Sequence, residues 1–253
     1  VSGCSVGRPS FATEVQAAGP AGMAGSPYAP LAVTPTRVNG GGQQAHVLGA
    51  PLYVYSHTTL HNRRLAAIES MQLGAPGRFQ LNEFAWRYLE EGPLPAWARR
   101  QLQALGGEQV WGWEAWRALL DTQVPGLGDR AQERLWDAAA IGYYRAQQAV
   151  PVVQTLICDD APQFKGITED LSLCWVHEGR HYKKLDPVIP RHQTALTTFR
   201  QRFWAYYRAL PTYQQTPIPA EASRLPAAFD TPFTTQTAYH ALDPRIPQPA
   251  AHE

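Results

Sequence analysis

Val152-Val-Gln-Thr-Leu-Ile-Cys158, followed at once by Asp159-Asp160-Ala-Pro162, is the stretch on which the fold turns. A short, nearly continuous apolar run rich in β-branched residues suits a buried strand. The acidic pair and the proline end it abruptly. An acidic residue just past the carboxyl end of a central strand can face a cleft without burying its charge fully. Two or three such carboxylates meeting in space hold divalent metals for phosphoryl chemistry. The same pair has a plainer use, because aspartates after strands also start turns and cap helices. On these residues alone both readings stand.

Upstream of this strand the texture is helical. Asn82 suits the N-cap of a helix over Glu83–Glu91, ended by Gly92-Pro93. Pro95 opens Ala96–Leu105, Trp113–Leu120 is a further short helix, and Asp129-Arg-Ala-Gln132 resembles a capping box opening a helix to about Ala149. Earlier still, Gln44–Ser56 reads as two short strands broken near Gly49 and Pro51, and His57 to about Met71 as a helix. Downstream, Leu171–Val176 reads as a second strand. A long amphipathic helix is expected from Arg191 to Leu210, stopped by Pro211, with Pro226 and Pro232 interrupting the helical pattern beyond it.

The ends differ from the middle. Twenty of residues 1–33 are Ala, Gly, Pro or Ser, with only Arg8 and Glu14 charged, so this segment is expected to be a disordered tail. The C-terminal end has no pattern and is expected to carry little structure. The chain has 253 residues, 44% of them hydrophobic, which is ample for a globular core. A net charge of +1 gives no global argument for a nucleic-acid partner, so any such argument must be local. Cys4, Cys158 and Cys174 are too few and too scattered for a disulfide framework. The first residues lack the order of a signal peptide, and no apolar run is long enough to span a membrane, so the expectation is a cytoplasmic protein.

Two further clusters carry chemistry. Cys174-Trp-Val-His177-Glu-Gly-Arg-His181 offers three zinc ligands, with Cys158 as a conceivable fourth; a packed cysteine and a hydrogen-bonded histidine explain the same spacing. Between His177 and Arg208 seven Lys or Arg face two acidic residues. That local surplus suggests a surface for a phosphate backbone, or equally a solvated basic helix face.

Taken together, Leu156-Ile-Cys-Asp-Asp-Ala-Pro-Gln-Phe-Lys165 and Leu173-Cys-Trp-Val-His-Glu-Gly-Arg-His-Tyr-Lys-Lys-Leu185 resemble the middle of a group of three-carboxylate (DDE) transposases of bacterial insertion sequences. Thr36-Arg-Val-Asn-Gly40, Ile141-Gly-Tyr-Tyr144 and Phe203–Arg208 extend the resemblance over roughly residues 34–246. It implies an α/β fold: a ribonuclease-H-like core with a largely helical insertion, about 79–149, before the strand carrying Asp159. By position Asp159 is the second catalytic aspartate and a ligand of Mg²⁺, with Asp160 the alternative. Cys174 and His177 match a signature whose role is structural, or one of supporting the metal ligands from behind. Arg180, His181, Lys183, Lys184, Arg200 and Arg202 become the DNA-contacting residues. The reaction implied is hydrolysis of a DNA phosphodiester followed by attack of the freed 3′-OH on target DNA, with DNA and other transposase subunits as partners and no membrane.

The chain also departs from that pattern. The first catalytic aspartate belongs to an acidic pair where this sequence has Ala32 and Val33, and the catalytic glutamate is expected on a helix beyond the matched residues. One carboxylate of three remains, so the expectation is a transposase-derived protein without strand-transfer activity. The Ala/Gly/Pro/Ser bias of residues 1–33 fits either a GC-rich gene read out of frame or a divergent, remodelled N-terminus. A core deprived in this way of its first strand would leave an exposed sheet edge. The alternatives are a non-enzymatic DNA-binding or regulatory relic, and a zinc-stabilised binding module. Residues 247–253 are assigned to a disordered tail.

Overall fold

The computed structural model describes residues 18–50, 53–92 and 94–245. Residues 1–17, Pro51, Pro93 and the expected tail over 247–253 lie outside the described residues. The chain divides into two units, residues 1–172 and 173–253.

The first unit is mixed α/β. After a short helix over residues 18–24 come β1 (Tyr28–Val38), β2 (Gly41–Ala50) and β3 (Tyr53–Thr59). Asn39 and Gly40 join the first two, both at positive φ (51° and 79°), as a two-residue hairpin turn matched to strand twist requires. Two later strands, β6 (Thr155–Cys158) and β7 (Asp170–Leu173), complete a five-stranded sheet of order β3-β2-β1-β6-β7. β1 is antiparallel to β2 and parallel to β6, with Ala29 beside Leu156 and Pro30 beside Ile157.

This corrects the N-terminal expectation. Residues 28–33 are not a tail: they begin the central strand of the sheet. Ala29 and Leu31 are buried while Tyr28, Pro30 and Ala32 are exposed, a period-two alternation that the small-residue bias concealed. The sheet edges are β3 and β7.

Between β3 and β6 lie α1 (Arg64–Met71), β4 (Arg78–Gln80), α2 (Glu83–Glu90), α3 (Ala96–Gln103), β5 (Val110–Gly112), α4 (Trp113–Gln123) and α5 (Asp129–Ala146). The expected helical stretch is there, with a small two-stranded antiparallel sheet, β4 with β5, pairing Phe79 with Trp111. Asn82 caps α2 as expected, accepting from the Phe84 and Ala85 amides, and its Nδ2 donates to the Gly142 carbonyl at 2.9 Å. α1 starts later than expected because β3 runs on through Thr59. The capping box is not formed: Gly128 holds the N-cap of α5 and supplies no side-chain bond.

α1 packs on β2 and β3, while α5 packs on α2 and β4. The core so enclosed includes Leu31, Leu48, Met71, Leu135 and Leu156. Phe79 sits in an indole cage, stacked on Trp116 at 5.8 Å and edge-on to Trp136 at 4.8 Å. At ~1.5–3 kcal/mol for each large apolar side chain, such burial outweighs the weak helix propensity of the aromatic residues.

The second unit contains α6 (Trp175–Lys183), α7 (Pro190–Gln215) and α8 (Pro219–Thr234). Tyr182, Leu196, Phe199, Phe203, Phe233 and Leu242 form its core, with Trp175 stacked on Phe203 at 4.4 Å. Two expectations fail here. Pro211 does not stop α7, and Pro226 and Pro232 lie inside α8. Each costs a helical hydrogen bond, but aromatic contacts along these helices, such as Tyr206 against Phe229 at 5.5 Å, hold both in register. Among the described residues no helix is long and apolar enough to cross a membrane.

Candidate functional site

Asp159 follows the last residue of β6. Inward positions on that strand are Leu156 and Cys158, both buried, so Ile157 and Asp159 belong to the outward face. The parallel register sets Pro30 beside Ile157. Two residues further along β1, Ala32 is also outward and exposed, while β6 gives way to a turn at Asp159.

The loop after Asp159 is held from several sides. Asp159 Oδ1 accepts from the Ala161 amide at 3.1 Å, forming an Asx turn. Asp160 is exposed and pairs with Lys165 at 2.9 Å. A 3₁₀ turn over Pro162–Phe164 buries Phe164 beneath the loop. Arg64 is the main clamp: Nη2 donates to the Pro162 carbonyl at 2.6 Å, Nε to the Lys165 carbonyl at 3.2 Å, and Nη1 to Asp137 on α5. Its guanidinium also lies 5.0 Å over the Tyr88 ring. Burial pushes the Asp137 carboxyl above the usual carboxylate range, with Arg64 pulling the other way. Gln163 adds a bond to Asn62 at 3.1 Å. The acidic loop is therefore tied to the start of α1 and the middle of α5.

Among the described residues no group of three or more His, Cys, Asp or Glu is placed to hold a metal ion. Asp159 offers one carboxylate, with one oxygen engaged by Ala161, and Asp160 is turned to Lys165. The described residues do not fit a Mg²⁺ site. The same finding leaves the zinc reading of Cys174, His177 and His181 without support.

The remaining site residues belong to the second unit. Cys174 is half-buried with a free thiol and stands at the N-cap of α6, not on a strand, and His177 lies in the first turn of that helix. β7 stops at Leu173. Leu171–Val176 was expected to be a strand throughout, but Trp175, Gly179 and Tyr182 share the helical face that packs on Phe203 and Trp204. His177 Nε2 meets Arg180 Nη1 at 3.3 Å.

Arg180, His181, Lys183 and Lys184 gather at the C-terminal end of α6, where the helix dipole favours cations. Lys183, Lys184 and Arg202 are exposed, while Arg200 is half-buried with its Nε enclosed. At about 100° per residue, Arg200 and Arg202 leave α7 roughly 200° apart, so the six do not make one stripe. Sequence reasoning missed the arginines of the first unit. The Arg63-Arg64 pair just before an apolar helix was the available signal.

No family model matches the chain. It is similar to an uncharacterized protein, y4jO, of Sinorhizobium fredii (strain NBRC 101917 / NGR234), with 26% identity over 227 residues, covering 88% of this chain and 68% of that protein. No solved structure matches it.

Proposed function

We propose that this chain is a transposase-derived protein whose ribonuclease-H-like core still engages DNA but does not cut it. The observation that carries the reading is the position of Asp159. It stands just beyond β6, whose parallel neighbour β1 runs on past the paired residues to Ala32, exposed on the outward face. Three antiparallel strands, a helical insertion and a further strand parallel to the first support this reading. Carboxylates at both positions would share one metal; an alanine at one leaves the other to serve only as a turn former. On this reading the chain is an enzyme by descent and a DNA-binding protein in action, able to associate with intact transposase subunits. The basic end of α6 supplies part of the DNA contact.

The test is a paired binding and cleavage assay with labelled DNA in Mg²⁺. Expected are salt-sensitive retention of DNA and no nicked product. Absence of DNA affinity at low salt refutes the reading, and Mg²⁺-dependent nicking refutes its inactive half.

A further inference from the structure

Two adjoining hollows of ≈1000 Å³ and ≈560 Å³ in the first unit share Arg63, Asp129, Glu133 and Asp137 as a common wall, making one trough along the first turns of α5. Its far end reaches Pro162 and Gln163, in the loop that follows Asp159. Its other end is lined by Trp113, which is 41% exposed although its ring packs on Trp136 at 4.6 Å.

The charges in this trough are not all committed. Arg64 is neutralised by Asp137. Arg63 and Arg130 are exposed and have no ion pair among the described residues. Arg134 lies 4.7 Å over the Tyr88 ring and donates to the Tyr88 carbonyl at 2.7 Å, leaving its Nε enclosed without a partner. Arg117 adds a further exposed cation, and against these stand the carboxylates Asp121, Asp129 and Glu133. The positive end of α5, which has no side-chain cap, tilts the balance further toward an anion.

We infer that the trough binds a single strand of DNA, with Arg63 and Arg130 on its phosphates and Trp113 as a surface on which a base stacks. Cations spaced along a groove beside an accessible aromatic ring are the combination that holds unpaired nucleic acid, since a duplex keeps its base faces covered. The inference rests on the DNA-binding reading above and adds a second contact region, next to the Asp159 loop. Glu133 works against such a ligand, so its neutralisation should strengthen binding.

The experiment measures anisotropy of a labelled single-stranded oligonucleotide and of its duplex, across a salt series, with the full chain. The double variant Arg63→Glu/Arg130→Glu should bind the single strand at least about tenfold more weakly, with a salt slope reduced by ~1.4, about 0.7 for each phosphate no longer neutralised. Both substitutions put an acidic residue at the start of a helix, where it is tolerated, so thermal unfolding serves as a fold control. Glu133→Gln should tighten binding. Unchanged affinity in the double variant, with weakened binding in Lys183→Glu/Lys184→Glu, overturns the trough and leaves the transposase reading standing. Tighter binding of duplex than of single strand overturns the single-strand assignment. A wild-type chain that binds neither form removes both proposals.

Discussion

Arg64, in the first turn of α1, and Asp137, in the middle of α5, form an ion pair that is largely closed to solvent, each side chain 13% exposed. The same guanidinium holds two carbonyls of the loop after Asp159. Arg64→Ala would leave a buried carboxylate and two carbonyls without their donor, and is expected to destabilise the first unit by ~3 kcal/mol. Urea unfolding followed by tryptophan fluorescence measures it. A loss below about 1 kcal/mol would mean that the pair is open to water.

His46 predicts the pH response. It is fully buried on β2, and burial, with His57 nearby, pushes its imidazole down to about 4. The Thr59 hydroxyl donates to the His61 carbonyl, so in the His46–Thr59 contact of 3.0 Å it is His46 Nε2–H that donates, leaving Nδ1 a bare, enclosed lone pair. The folded pKa lies below the unfolded one, so the unfolded chain binds the extra proton. Stability should hold above pH ~6.5 and fall as pH drops toward 4, by up to roughly 3 kcal/mol. His46→Leu should flatten that slope; an unchanged slope would assign it elsewhere.

Gly142 tests the packing of α5 on β4. A Cβ there would run into the Gln80 carbonyl oxygen and come within 2.8 Å of Asn82 Oδ1. Alanine has the better helix propensity by ~1 kcal/mol, yet Gly142→Ala should destabilise by about 2 kcal/mol, because the obstruction is backbone. Gly112→Ala, where a Cβ meets nothing within 4 Å, is the control for a mild effect. Calorimetric melting of the two variants separates them, and equal melting temperatures would count against the packing described.

Asp159→Asn keeps an oxygen to accept from the Ala161 amide, so the turn should survive. Stability should change by less than about 0.5 kcal/mol, and DNA retention should stay at the wild-type level. If the substitution instead abolishes a Mg²⁺-dependent nicking activity, Asp159 is catalytic and the proposed loss of chemistry is wrong.

Much of the fold was legible where local chemistry agrees with tertiary need. Asn82 caps α2, the Trp-rich stretch is helical, and the run ending at Cys158 is a strand. What escaped did so for physical reasons. Composition concealed β1, since Ala29 and Leu31 alternate among prolines and alanines; Asn39-Gly40, a strong hairpin signal, would have exposed it. Leu171–Val176, read as a strand throughout, covers too few residues to reveal the helical face shared by Trp175, Gly179 and Tyr182. Pro211 did not end α7, which runs on to Gln215 beyond ring contacts made upstream of the proline, Tyr206 against Phe229 among them. At the candidate site, Asp159 was legible from its place after the strand. The clamp on its loop was not, because Arg64 acts across contacts with Pro162, Lys165 and Asp137 that no local spacing encodes.

The place of β1 in the middle of the sheet has a consequence for how the protein is made. β1, β2 and β3 are consecutive and can pair as soon as they leave the ribosome. β1's other neighbour, β6, is synthesised only after the whole helical insertion. Until then one side of the central strand has unsatisfied amides and carbonyls, and closing so long a loop is slow. The nascent chain thus passes through a stage with a temporary open edge, and the insertion must collapse quickly enough to deliver β6 before another strand pairs there.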